Sequence, residues 1–178
     1  HGLPDGNLYK MDYGSDEQNN QGPTQPSDGS DLAQFLAAYR NAGESWWRQK
    51  VNLDAYYGYS AVYQAVHHGD ITEKNWFLYH HPETNQWWQL PWDLDLTWTT
   101  YYGDNDPSDP FRSAGALSYN ATGIENKNRL REIIDLLFNV DQTDQLIDDY
   151  AAIIDDPAGG LSLVDADRCM WDYHWALG

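Results

Sequence analysis

The sequence predicts an α+β, mainly α domain in which helices flank one small central β-hairpin. Three observations carry this reading. Apolar residues recur at helical spacing in four separate stretches. In the middle of the chain the period shortens to two aromatic runs joined by a turn containing Pro and Asn. The 178 residues also hold 9 Trp, 13 Tyr and 4 Phe within 41% hydrophobic content, enough to bury a substantial core and to exclude disorder of the whole chain.

The elements follow in order. Asn7-Leu8-Tyr9-Lys10-Met11, after a Pro-Asp-Gly turn, reads as a strand entering from something upstream of His1. Residues 14–30 are polar and read as an exposed loop, too short to separate two domains, so 1–178 is taken as a single unit. Leu32, Phe35, Leu36 and Tyr39 predict a helix capped by Ser30 and stopped by Gly43. A second helix begins after Asn52 and reaches about His67; its apolar residues cover most of the circumference, which assigns it to the interior. Trp76–His80 and Gln86–Leu90 form the hairpin. Thr99 to Gly123 reads as a long irregular loop, a kind that in compact domains is more often functional than idle. Two amphipathic helices follow, around Leu130–Phe138 and Leu146–Ile154, and a short last one starts near Ser162. No internal repeat is present.

The charge balance restricts the partners. Asp and Glu number 28 against 10 Lys and Arg, a formal net charge of −18. Such a surface repels phosphate backbones and anionic lipid, so neither nucleic acid nor a membrane surface is expected as a partner. No run approaches 18 apolar residues, and the opening residues lack the basic and apolar regions of a signal peptide. The lone Cys169 excludes an intrachain disulfide and a Cys-rich zinc site. Most of the 22 Asp residues read as a solubilising surface.

The acids at the two ends of the hairpin read differently. His68-Gly69-Asp70 precedes it with Asn75 at its start, and Pro91-Trp92-Asp93-Leu94-Asp95 follows it. A hairpin returns the chain to its origin, so Asp70, Asn75, Asp93 and Asp95 are expected to converge. Carboxylates with an amide oxygen suit a hard divalent cation such as Mg²⁺. Like charges gathered without one raise at least one carboxyl pKa. Order and spacing also match the protein-kinase pattern: Asp-x-x-x-x-Asn at 70–75, and a second Asp 23 residues after the first, across one hairpin.

Trp76-Phe77-Leu78-Tyr79, followed by Leu90-Pro91-Trp92-Asp93-Leu94-Asp95-Leu96-Thr97, strongly resembles the CotH kinase family, the spore coat protein CotH-like atypical protein kinases. Asn7-Leu8-Tyr9-Lys10 and Asp167–Tyr173 extend the resemblance over essentially the whole chain. It implies a protein-kinase-like C-terminal lobe that transfers phosphate from ATP, with Mg²⁺ (Mn²⁺ or Ca²⁺ as alternatives), to protein hydroxyls. Asp70 would be the base, Asn75 and Asp93 would bind nucleotide and metal, Asp95 would be an auxiliary metal ligand, and His68 would support the loop. The expected protein substrate has basic regions that complement the acidic chain. An extracellular, cell-surface or spore-coat location is also implied.

Some family-type features are missing. No Gly-x-Gly-x-x-Gly loop and no Val-Ala-Ile-Lys strand precede His68. An N-terminal lobe is therefore expected upstream, with the 178 residues inactive alone. Asp95 replaces the Gly of Asp-Phe-Gly, and Thr72 stands where many kinases carry Lys. Lys74 is the nearest substitute, and Lys10 is given no role.

Other readings compete. The chain as a non-catalytic acidic, Trp-rich binding or adhesion module is the alternative function, since fold does not entail activity. A carboxylate-pair glycosidase lacks a second acid pair. His67-His68 and His80-His81 lack the spacing of a zinc helix. Asp104–Asp109 begins like a calcium loop but has Asp109 and Gly115 where Gly and Glu are required. Most Trp residues are assigned to the core, and Asn120-Ala121-Thr122 is a glycosylation sequon.

Overall fold

A computed structural model describes residues 2–12, 14–68, 71, 74–95, 97–98, 109–155 and 159–170. The chain divides into two compact units, His1–Ile133 and Ile134–Gly178. The first holds a four-stranded antiparallel sheet in the order β2-β1-β3-β4, made of β1 (Asn7–Asp12), β2 (Glu17–Asn20), β3 (Lys74–His80) and β4 (Trp87–Pro91). The expected hairpin is β3-β4. It is half of the sheet rather than an isolated ribbon, because β1 adds to it through six paired positions, from Asn7 opposite His80 to Asp12 opposite Lys74. A two-stranded ribbon is marginal in water, and added strands with a packed face stabilise it.

Within residues 14–30, β2 is exposed along its length, and the following turn is fastened to the start of β1. Asn7 holds that turn: its Oδ1 accepts from the Gly22 N–H at 2.8 Å and its Nδ2 donates to the Pro26 carbonyl at 2.9 Å. A Cβ at Gly6 would lie 2.4 Å from the His80 carbonyl oxygen, so only glycine allows this approach.

Helix α1 (Ser30–Tyr39) starts one residue earlier than expected. Gly29 at φ 70 occupies the cap position, and Ser30 is the first helical residue. A further helix, α2 (Glu44–Lys50), was not expected from the pattern. Helix α3 (Leu53–Ala65) is capped by Asn52, whose side chain accepts from Ala55 N–H at 2.9 Å, and it buries four tyrosines. The predicted loop of residues 99–123 contains two helices in its described part, α4 (Pro110–Ser113) and the start of α5 (Asn120–Leu137).

The core is aromatic. Phe111 of α4 lies within 5.4–6.1 Å, centroid to centroid, of Phe35, Tyr39, Trp47, Tyr56 and Trp76. Such tilted and edge-on pairs stabilise beyond the area they bury. Trp47, Trp76 and Trp87 are buried as expected, whereas Trp92 and Trp98 are exposed. In the second unit, α6 (Val140–Ile154) and α7 (Leu163–Met170) follow. At α7, Ser162 and Asp165 bond reciprocally, side chain to backbone, in both directions.

A buried cluster joins β1, α1 and β3. Asp31 accepts from Tyr9 Oη at 2.6 Å, from Asn7 Nδ2 at 3.0 Å and from its neighbour Leu32 N–H, and it faces His80 Nδ1 at 2.7 Å. The His80 ring stacks 4.3 Å from that of Trp87, and its Nε2 meets Asn85 Oδ1 at 2.8 Å. Burial alone pushes the Asp31 carboxyl up, but the bonds from Tyr9, His80, Asn7 and Leu32 outweigh it and hold the group below its ordinary value. A depressed carboxyl stabilises the fold above its unfolded pKa, about 3.9, and that contribution is lost as pH falls through the folded value. Thermal melts from pH 7 to pH 3 are expected to show Asp31→Asn less stable than wild type at pH 7 by about 1–3 kcal/mol. The gap closes below pH 4; a constant gap across the range contradicts this assignment.

Candidate active site at one end of the sheet

Trp76 of β3 pairs with Pro91 of β4, so the start of β3 and the residues just past β4 lie at one end of the sheet. Asn75 is there, 7% exposed, and Asp93 stands two residues beyond the end of β4. The chain after β4 then returns to α3, where Trp98 N–H donates to the Val66 carbonyl at 2.8 Å.

The backbone in these stretches is unusual. Among the described residues, non-glycine positive φ occurs at His67 (49°), Asn75 (64°), Asn85 (54°), Asp93 (56°) and Trp98 (59°). His67 and Trp98 lie by the end of α3, Asn75 at the start of β3 and Asp93 just past β4, whereas Asn85 is in the hairpin turn. Each left-handed non-glycine residue costs on the order of 1–3 kcal/mol and persists where its surroundings over-determine it, commonly at functional sites. Asn tolerates this conformation because its short amide can bond locally. Asp shares the property, and both positions therefore suit the residues that occupy them.

Asp70 lies outside the described residues. Its flanks do not: His68 and Ile71 are both fully buried, His68 N–H donates to the Tyr63 carbonyl at 2.9 Å, and Ile71 packs with Tyr59 and Tyr63. Asp93 and Asp95 are exposed. Asn75 thus stands at the start of β3 beside the Trp76–Pro91 pair, and Asp93 and Asp95 lie in the exposed stretch just past β4. Among the described residues no three His, Cys, Asp or Glu side chains gather as a metal cluster. By type, the amide oxygen of Asn75 and the carboxylate of Asp93 are donors that a hard cation takes. The calcium-like segment, residues 104–109, lies outside the described residues apart from Asp109.

Two further features escaped the sequence reading. The first is the outer face of the sheet, where Lys10, Phe77 and Leu90 stand in one cross-strand row and Leu8, Tyr79 and Trp88 in the next. Trp92, 49% exposed, packs edge-on against Phe77 at 5.2 Å, directly beside Asp93. The alternation of β3 could have shown this, since Phe77 must face away from Trp76 and Leu78. The second is Asp109, fully buried at the cap of α4, which accepts from Tyr56 Oη (2.6 Å), Tyr63 Oη (3.1 Å), Phe111 N–H (2.9 Å) and Gln89 Nε2 (3.4 Å). Burial pushes its carboxyl up, and the four hydrogen bonds only partly oppose this. The same burial, with the Asp109 charge, pushes Tyr56, Tyr59 and Tyr63 far above the ordinary phenol range.

The chain is thus mixed α/β, with Asn75 and Asp93, both in left-handed backbone, near the paired end of β3 and β4. The description CotH kinase protein matches residues 2–160, and the chain belongs to the CotH kinase family. No curated protein matches it.

Proposed function

We propose that this chain forms part of an enzyme transferring the terminal phosphoryl group of ATP to hydroxyl groups of proteins. The observation that supports the reading is the left-handed backbone of Asn75, at the start of β3, and of Asp93, two residues past the end of its partner strand β4. Family membership supports kinase-type chemistry for that site.

In this reading Asp70 accepts the proton of the attacking hydroxyl as its oxygen bonds to the γ-phosphorus. The bond from that phosphorus to the β,γ-bridging oxygen breaks, and ADP leaves with the electron pair. Asn75 and Asp93 would hold Mg²⁺, with Asp95 beside them, and the ion neutralises phosphate charge when bound. His68, through its buried position, keeps the Asp70 loop in place. Phe77 and Trp92 offer an aromatic surface next to Asp93 against which the nucleotide base would lie. The excess of acidic residues favours protein substrates with basic regions.

Calorimetric titration of Mg·ATP into the complete domain, with the upstream lobe that the resemblance implies, tests this. Saturable binding that EDTA abolishes is expected, and its absence at millimolar nucleotide contradicts the reading. Trp92→Ala is expected to weaken binding by roughly 1–3 kcal/mol, the usual worth of one base-stacking contact. Unchanged affinity would remove Trp92 from the nucleotide site.

A further inference from the structure

Helix α6 buries none of its residues, although its apolar side chains are gathered on one face. Leu146, Tyr150 and Ile153 recur at i, i+4 and i+7 with Ile147 and Ile154 beside them, so the five share one side of the helix. Each is half exposed or more, from Ile154 at 50% to Ile153 at 67%. A contiguous apolar surface rimmed by polar residues is the mark of an interaction site. Leu146 also lines a groove of about 480 Å³ with Leu137 at the end of α5, Asp141, Asp149, Gln142 and Gln145. The charge around it has one sign: α6 carries four aspartates and neither Lys nor Arg, and residues 134–178 hold ten Asp against the single Arg168.

That charge decides between the occupants an apolar helix face can have. A helix that lies on a membrane carries Lys and Arg beside its apolar face, where α6 has Asp. A second copy would set the same aspartates against these, and like charges facing one another across an interface are costly. A cationic partner meets both the leucines and the carboxylates. We infer that α6 and its groove dock an amphipathic helix of another protein, with Lys or Arg flanking its apolar stripe. Asp141 and Asp149 stand about 12 Å apart along α6, so the matching cations lie about two turns apart on the partner. The residues proposed for phosphoryl transfer belong to the other unit, and docking here does not rest on that reaction.

Fluorescence anisotropy with the full chain at physiological salt tests this. The probe is a labelled helical peptide of Leu, Ala and Lys, about five turns long, whose lysines flank one leucine stripe. Saturable binding is expected, with binding weaker by tenfold or more for the same composition in scrambled order and for Glu in place of Lys. Asp141→Asn with Asp149→Asn, and separately Leu146→Ser with Ile153→Ser, should each weaken the probe by tenfold or more; all four side chains are exposed, so neither pair opens a core. Glu17→Gln with Asp54→Asn removes as much charge from exposed sites of the other unit and should leave the affinity unchanged. A scrambled peptide that binds as tightly, wild-type affinity in either α6 pair, or an equal loss in the Glu17 and Asp54 pair overturns the inference. Sedimentation and flotation with phosphatidylcholine–phosphatidylglycerol vesicles are expected to show a monomer that leaves the vesicles unbound. A dimer, or vesicle binding, that Leu146→Ser with Ile153→Ser abolishes gives the face to a second copy or to lipid and equally overturns it.

Discussion

Asp93→Asn is expected to lower phosphoryl transfer by the complete domain by about two to three orders of magnitude, the scale set by losing one transition-state contact. Asp93 is exposed, so the substitution removes charge without opening the core. Its left-handed φ of 56° is one that Asn also tolerates, so the backbone is preserved and the loss is chemical. Asp70→Asn is expected to be at least as severe in transfer while leaving nucleotide binding intact, because a base acts on the hydroxyl and not on ATP. The two substitutions thus separate by calorimetry: Asp93→Asn weakens Mg·ATP binding and Asp70→Asn does not. Melting curves that coincide with wild type for both are part of the expectation. Retained transfer in Asp70→Asn would contradict the assignment of the base.

Asp109→Ala has the largest expected effect on stability. The carboxylate is fully buried and satisfies two tyrosine hydroxyls, the Phe111 N–H and Gln89 together. Removing it orphans these donors and uncaps α4, whose Phe111 packs against five rings at the centre of the core. Removing one partner from a buried charged network costs about 3–5 kcal/mol, a large share of the roughly 5–15 kcal/mol that holds a typical domain. At about 2–4 °C per kcal/mol for a chain of this size, the melting temperature falls by roughly 6–20 °C. A loss under 1 kcal/mol by urea unfolding would contradict this role. The pH dependence has the sign opposite to that of Asp31. A carboxyl raised by burial contributes stability fully present below its unfolded pKa, about 3.9, and that contribution is lost as pH rises through the folded value. Asp109→Asn, which keeps the shape, removes that slope and is expected to be milder than Asp109→Ala.

Helix α3 and the hairpin were legible in the sequence because each is long enough to show its period, and Asn52 announces the start of α3 by its type alone. Helix α2 was not, since Glu-Ser-Trp-Trp-Arg-Gln-Lys spans barely two turns and repeats nothing. Its Arg48 is fixed by Glu44 four residues before it and by Glu125 on α5, 77 residues away, and only the first pairing is visible in the text. The same holds for Asp31 and His80, 49 residues apart, and for Asp109 with Tyr56 and Tyr63. An aspartate is ordinarily a surface or cap residue, and pattern does not reveal which one becomes the cap of a buried helix. The pairing that sets Asn75 and Asp93 near one end of the sheet was easier to expect, because a hairpin returns its chain to where it began. The left-handed backbone at Asn75 and Asp93 was hidden, as it depends on the neighbours that hold it.

The account is tested most directly by incorporation of ³²P from γ-labelled ATP into a basic protein substrate by the complete domain, with and without Mg²⁺. Incorporation that requires Mg²⁺ and disappears in Asp70→Asn is the predicted result. A folded domain that incorporates nothing, or one in which Asp70→Asn transfers phosphate as wild type does, would contradict it.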